Sequence, residues 1–311
     1  MEIPKLTLSS SPHIQTNEKV STVMRDVLIA LLPATIAAIY YFRFGAVVNI
    51  IAAVVGAVGA EYAIQKLLKK KVTINDYSAA VTGLLLAFNV PATLPWWMTL
   101  IGSIFAIAVV KQLFGGLGHN FMNPALAARC FLMISFASIM TNFQVDGYSG
   151  ATPLATLKAG GSVDIVTMVL GKIPGTIGET SMIAIVLGAC ILILSGIIDL
   201  KIPASYLISF LLFLTFFGGK GFDYAYLSAH LAGGGLMLGA FFMATDYVTR
   251  PITTNGQILY GVLLGILTGL FRLFGGSAEG VSYAIIIGNL LVPLIEKITM
   301  PKGFGSGGLK A

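Results

Sequence analysis

The sequence predicts an all-α polytopic membrane protein of about ten transmembrane helices, arranged as two inverted repeats of five with broken or short helices. Three observations predict it. Charged residues make up 10% of the chain and hydrophobic ones 56%, whereas a soluble domain carries about 25% charge; too few charges remain to cover a water-facing surface. Apolar runs approaching the roughly 20 residues needed to cross a bilayer recur along the chain. The tetrapeptide Leu-Phe-Gly-Gly occurs twice, at 113–116 and 273–276.

The apolar runs place spans at 26–42, 44–64, 77–90, 94–114, 123–141, 180–198, 203–217, 228–245, 257–274 and 280–298. The third is short and stops at Asn89-Val90-Pro91. Many are rich in Gly and Ala, as helix interfaces in membranes usually are. The longest polar interruption, about 142–179, divides the chain into repeat 1 (about 26–141) and repeat 2 (about 180–298) within one membrane domain covering 1–311. Five helices per half bring the second copy in from the opposite side, which makes the repeat inverted. In the first half Gly83-Leu-Leu-Leu-Ala-Phe88 leads to a break at Pro91. In the second, Gly235-Leu-Met-Leu-Gly-Ala-Phe241 leads to a break around Asp246–Pro251. Broken helices offer unpaired backbone groups to ligands, and the candidate breaks are 89–95, 115–124, 245–251 and 275–280.

The net charge of +6 would suggest nucleic acid as partner in a soluble protein. Here the charges lie between apolar runs and set orientation instead. With a cytoplasmic N-terminus the inner side collects 14 Lys and Arg, including Lys66, Lys69, Lys70, Lys71, Lys111 and Arg129. The outer side collects five: Arg43, Lys158, Lys172, Lys220 and Arg272. Both termini are therefore expected inside and loop 142–179 outside. Residues 1–25 hold Lys5, Glu18, Lys19 and Arg25 and no apolar core, so no cleavable signal peptide is expected. The two cysteines, Cys130 and Cys190, read as lipid-buried free thiols and are too few for a four-thiolate iron–sulfur cluster within this chain.

The long loop contains Asp146-Gly-Tyr-Ser-Gly-Ala-Thr152-Pro. This matches Asp-x-x-Ser/Thr-Gly-Ala-Thr, the pattern at which an FMN transferase esterifies flavin through its phosphate to the threonine hydroxyl. The residue types suit that chemistry. Thr152 supplies the hydroxyl that takes phosphorus. Gly150 and Ala151 leave the backbone accessible, Asp146 and Ser149 offer polar handles, and Pro153 keeps Thr152 out of helix. A plain Gly-Ser turn is the alternative.

On these residues, together with Gly118-His-Asn-Phe-Met-Asn-Pro-Ala-Leu-Ala-Ala-Arg129, Gly239-Ala-Phe-Phe-Met-Ala-Thr-Asp246 and Arg272-Leu-Phe-Gly-Gly-Ser-Ala-Glu-Gly280, the chain resembles a known family. Its members are RnfD, the D subunit of the Rnf complex, an ion-translocating ferredoxin:NAD oxidoreductase, and the related NqrB of the Na⁺-translocating NADH:quinone reductase. A first helix near residue 26 favours the former. Tyr247 and Arg250 depart from the family's Asp-Pro-Val-Thr-Ser-Pro. The resemblance implies an electron-transfer subunit of a Na⁺- or H⁺-translocating complex in the bacterial cell membrane, not catalytic alone. It also implies covalent FMN at Thr152, a non-covalent riboflavin in the bundle, and partner subunits with iron–sulfur clusters and another covalent FMN. A solute transporter or channel of inverted-repeat type is the rival, and the flavin motif discriminates against it. No Gly-x-Gly-x-x-Gly follows a strand, so NAD is expected on another subunit.

His119, Asn120, Asn123 and Arg129, with Asp246 across the bundle, form the candidate site for the second flavin or an ion. The alternative for the first group is a capped helix entry, with Asn123 as N-cap and Pro124 at the first helical position. Asp246 and Arg250 flank a break, where a surface ion pair is equally plain. Glu61, Glu279 and Glu296 read as solvated carboxylates at span ends, and His13 and His230 have no evident partner. No acidic residue marks mid-membrane, and no metal site is expected.

Overall fold

The computed structural model describes residues 19–145, 148–179, 181–275 and 280–301. Asp146, His13, Glu279 and the terminal Lys5, Lys302 and Lys310 lie outside the described residues.

The first helix, α1 (Val20–Leu67), has 48 residues. Straight, it would run about 72 Å, more than twice a hydrocarbon core of about 30 Å. It turns at Arg43, where φ is 49° and ψ −126°, and so supplies the first two expected spans. The others follow in order: α2 (Ser78–Phe88), then α3 (Trp96–Phe105) continuing as a π-helix (Ala106–Gln112), then α4 (Pro124–Ser135) with the short α5 (Ala137–Met140). The long loop carries two two-residue strands, β1 (Gln144–Val145) and β2 (Tyr148–Ser149), paired antiparallel with Gln144 opposite Ser149. Two short helices follow them, α6 (Pro153–Lys158) and α7 (Ile165–Leu170). The second half comprises α8 (Met182–Leu194), α9 (Lys201–Phe217), α10 (Tyr224–Ala232), α11 (Leu236–Leu238) with a π-helix (Gly239–Met243), α12 (Thr254–Phe274) and α13 (Val281–Thr299).

Three of these helices, α1, α12 and α13, are each long and apolar enough to cross a membrane, and α10 with the bent continuation 236–243 passes the same test when the two are taken together. The remaining expected spans are apolar helices of 10–17 residues. Large apolar side chains such as Ile36, Ile51, Leu194, Phe216 and Ile298 are exposed on outer helix faces, where lipid rather than water is the fitting solvent. Inside, small residues let backbones approach. A Cβ at Gly83 would come within 2.7 Å of the Ala53 carbonyl oxygen on α1. The chain is an all-α polytopic membrane protein.

The structure adds a break that was not expected from the sequence and corrects one expectation. Gly83 lies inside the continuous helix α2, whereas Gly235 has φ 65° and closes a 62° break between α10 and α11. The eighth span breaks at Gly233–Gly234–Gly235, because only glycine takes the positive φ of Gly234 and Gly235 without strain. Not all the counted basic residues are loop charges: Lys111, Arg129 and Arg272 are buried.

Candidate functional site

Thr152 is the N-cap of α6, with φ −60° and ψ 151° and with Pro153 at the first helical position. Its Oγ1 accepts a hydrogen bond from Ala155 N at 3.4 Å, so the proline places the hydroxyl at a helix start. Ala151 is exposed and Gly150 half-buried. Ser149 belongs to β2, and Asp146 is outside the described residues.

The loop is fastened to the bundle through its backbone. Ile177 N donates to Val90 O at 3.0 Å and Gly178 N to Phe88 O at 2.9 Å, while Thr93 Oγ1 donates to Asn142 O at 2.8 Å. The non-helical stretch after α2, expected from Asn89-Val90-Pro91, thus finds its backbone partners in the loop, as buried backbone groups must. Beside Thr152 a small cavity is lined by Leu154, Ile173, Glu179, Gly233 and Gly234. Thr152 therefore sits against the break in the eighth span.

That break is held by Arg272. Its guanidinium donates to the carbonyls of His230, Gly233 and Gly234 and lies 5.0 Å above the Phe210 ring. Carbonyls freed where a helix ends need donors, and at lipid depth a buried arginine supplies several at once. A second buried cation, Arg129 on α4, donates through Nη1 to Asn89 Oδ1 at 3.0 Å, to Ser282 Oγ at 2.8 Å and to Glu179 at 3.3 Å.

At the opposite end of the bundle, where α1 begins, a cleft opens between the two halves. Its walls include Ser78, Lys111, Asn120, Asn123, Phe242 and Asp246. Asn123 caps α4, its Oδ1 accepting from Ala125 N and Leu126 N at 3.0 and 3.3 Å. The structure thus brings Asn120, Asn123 and Asp246 together. It leaves His119 exposed and places Arg129 in a different layer, with Glu179. Asp246 accepts from Thr249 Oγ1 at 3.1 Å, and Arg250 stacks on Tyr247, 4.7 Å from the ring centroid.

Over residues 7–305 the sequence matches the model of the NQR2, RnfD, RnfE family. The chain belongs to that family. It is 46% identical to the D subunit of a Na⁺-translocating ferredoxin:NAD⁺ oxidoreductase complex from Acetobacterium woodii, covering 96% of this chain and 95% of that one. It is 41% identical to the D subunit of a proton-translocating ferredoxin:NAD⁺ oxidoreductase complex from Clostridium ljungdahlii, over 96% of each. The D subunit of an ion-translocating oxidoreductase complex from Methanosarcina acetivorans is 38% identical, over 96% of this chain and 97% of that one.

In this family member the sequence misread Glu61. It is 1% exposed, not solvated, and pairs with Lys111 at 2.9 Å. Gln112 and Gln65 donate to the same carboxylate at 2.8 and 3.2 Å, and Lys111 Nζ donates to Ser78 Oγ at 2.6 Å. Glu61 and Lys111 lie 50 positions apart at the ends of their helices, where a lone charge looks like a loop residue. The available signal was the polar quartet Glu61, Gln65, Lys111 and Gln112: Glu61 and Gln65 share a helix face at i, i+4. Glu179 and Arg272 were missed for the same reason, and the Gly233-Gly234-Gly235 triplet was the overlooked mark of the break.

Proposed function

We propose that this chain is the D subunit of an ion-translocating ferredoxin:NAD oxidoreductase complex in a bacterial cell membrane, and that it carries FMN esterified at Thr152. The observation that carries the reading is the Ser149-Gly150-Ala151-Thr152-Pro153 string ending in a hydroxyl at the start of α6. The surroundings fit the group. The hydroxyl already takes an amide N–H from Ala155, a donor that a phosphate ester oxygen accepts equally well. The cavity beside Thr152 is small, and a larger one, lined also by Lys158, Lys220 and Arg272, shares Leu154 with it. Bound there, FMN supplies reversible electron transfer. The chain's part is to hold the phosphate, position the ring and set its electrostatics.

The partners in this reading are an FMN transferase and further subunits that bear iron–sulfur clusters and a second covalent FMN. A riboflavin without phosphate belongs in the cleft, with Asn120, Asn123 and Asp246 as polar contacts and Phe242 as an apolar wall. A flavin on the outer loop alone cannot carry electrons across a core of about 30 Å without further carriers. With the three buried cations removed from the count, twelve basic residues remain on the N-terminal side of the membrane against four on the other. This keeps both termini cytoplasmic and the Thr152 loop outside.

The test is Thr152→Ala, expressed with the transferase. The wild-type band fluoresces on a denaturing gel and the variant band does not, while both insert in the membrane. A fluorescent Thr152→Ala band would overturn the assignment.

A further inference from the structure

On the same face as Thr152, the larger of the two adjoining cavities has an unusual lining. Lys158, Lys220 and Arg272 supply three cations, Tyr226 and His230 supply aromatic surface, and Leu154 connects it to the cavity of Thr152. The His230 ring packs edge-on to Tyr226, 4.5 Å between centroids, and Lys220 Nζ lies 5.2 Å from the centre of the Tyr226 ring. Lys158 ends α6 and donates to the Gly275 carbonyl. His230 is 7% exposed, yet its Nδ1 has no hydrogen-bond partner among the described residues. A buried imidazole nitrogen without a partner costs stability, and the cations and the Tyr226 ring around it give the cavity the character of an anion-binding aromatic pocket.

We infer that this cavity seats the isoalloxazine ring tethered at Thr152, and that Lys158, Lys220 and Arg272 set its reduction potential. The inference rests on the Thr152 reading. Helix α6 has six residues and is about 9 Å long at 1.5 Å per residue. A ribityl chain with its phosphodiester spans a comparable length, so a ring anchored at the start of α6 reaches the lysine at its end. The tether holds it there at an effective concentration in the millimolar range. Two-electron reduction with uptake of one proton leaves the ring one negative charge richer than its oxidised form, the electrons coming from an iron–sulfur donor. Cations beside the ring favour that form over the oxidised one and raise its potential. Tyr226 offers an aromatic face for stacking.

The experiment is a redox titration of the purified complex, followed by flavin absorption, for wild type, Lys158→Gln, Lys220→Gln and Lys172→Gln. Lys158 and Lys220 are exposed at the cavity mouth and Lys172 is exposed on the same loop away from it, so all three variants should fold. Each cavity variant is expected to shift the reduction equilibrium of the covalent flavin about tenfold toward the oxidised form, about 30 mV for a two-electron couple. Lys172→Gln leaves it unchanged, and the fluorescent gel band stays at full intensity in all four. If both cavity variants titrate as wild type with a full band, the ring sits elsewhere and the inference is overturned. Loss of tightly bound anionic phospholipid from those variants, with an unmoved potential, overturns it in favour of a lipid headgroup. A wild-type band without fluorescence refutes the covalent attachment itself, and this inference with it.

Discussion

Arg129 on α4 and Glu179 at the end of the long loop form an ion pair of 3.3 Å, each side chain 5% exposed. The same guanidinium reaches Asn89 after α2 and Ser282 on α13, so one cation ties the Thr152 loop to both halves of the bundle. Breaking a buried pair leaves an uncompensated charge, at a cost of about 3–5 kcal/mol. Glu179→Gln keeps a hydrogen-bonding amide and should lose less than Arg129→Met, which removes the donor from three acceptors. Thermal unfolding in detergent measures both. Equal melting temperatures for wild type and Arg129→Met would show that the pair does not fasten the loop.

The Glu61–Lys111 pair makes a different prediction, because its neighbours Gln65, Gln112 and Ser78 can rearrange. Lys111→Met alone strands a carboxylate in the bundle and should cost about 3–5 kcal/mol. Adding Glu61→Leu should recover most of it, since an apolar pair of similar volume is often neutral. A double variant as unstable as the single one would assign the pair a structural part that hydrophobic packing cannot take over.

Most of the architecture was legible because lipid imposes length and apolarity on each span, and those survive in the sequence as runs. Asn89-Val90-Pro91 announced the end of α2, and Asn123-Pro124 announced the capped start of α4. Helix α6 was not legible: Pro153 implied only that Thr152 stays out of helix, and in the structure Thr152 is the N-cap just outside one. The buried ion pairs were not legible. Glu61 and Lys111 are separated by 50 positions and Arg129 and Glu179 by another 50, and hydropathy cannot tell a charge at a span end from one folded inward against a partner. The cavity beside Leu154 was hidden for a like reason: Lys158, Lys220 and Arg272 come from three separate segments and read singly as outer loop charges.

Close packing of α9 on α12 yields a steric prediction. A Cβ at Gly265 would lie 2.7 Å from both Phe210 N and Tyr206 O, backbone atoms that cannot move aside. Gly265→Val should therefore push the helices apart and break the 2.6 Å contact of Tyr206 Oη with Thr268 Oγ1. A loss of at least about 1–3 kcal/mol is expected for overpacking. At Gly59 a Cβ meets nothing within 4 Å, so Gly59→Ala should be neutral or stabilise by about 0.5–1 kcal/mol. Similar melting of the two variants would contradict the close approach.

Sidedness is read out at Ala151, exposed beside Thr152, and at Lys70, exposed after α1. With Cys130 and Cys190 replaced, Ala151→Cys should react with a membrane-impermeant thiol reagent in intact cells. Lys70→Cys should react only after the membrane is opened. The reverse pattern would invert the proposed orientation.

The last prediction separates two parts that Asn123 can play in the cleft. Its Oδ1 caps α4 through Ala125 N and Leu126 N, while its Nδ2 faces the Met243 carbonyl at 3.4 Å, a long and weak bond. Aspartate caps a helix as well as asparagine does, but it has no N–H to donate and brings a negative charge into the cleft. If Asn123 only caps, Asn123→Asp should bind flavin as the wild type does, and Asn123→Leu should lose about 1 kcal/mol for the missing cap. If the cleft holds riboflavin through the Asn123 amide, Asn123→Asp should release far less free flavin on acid precipitation, with the covalent FMN still in the pellet. Quantifying supernatant flavin against pellet fluorescence decides between them. An Asn123→Asp supernatant as rich as the wild type's would remove Asn123 from the proposed riboflavin site.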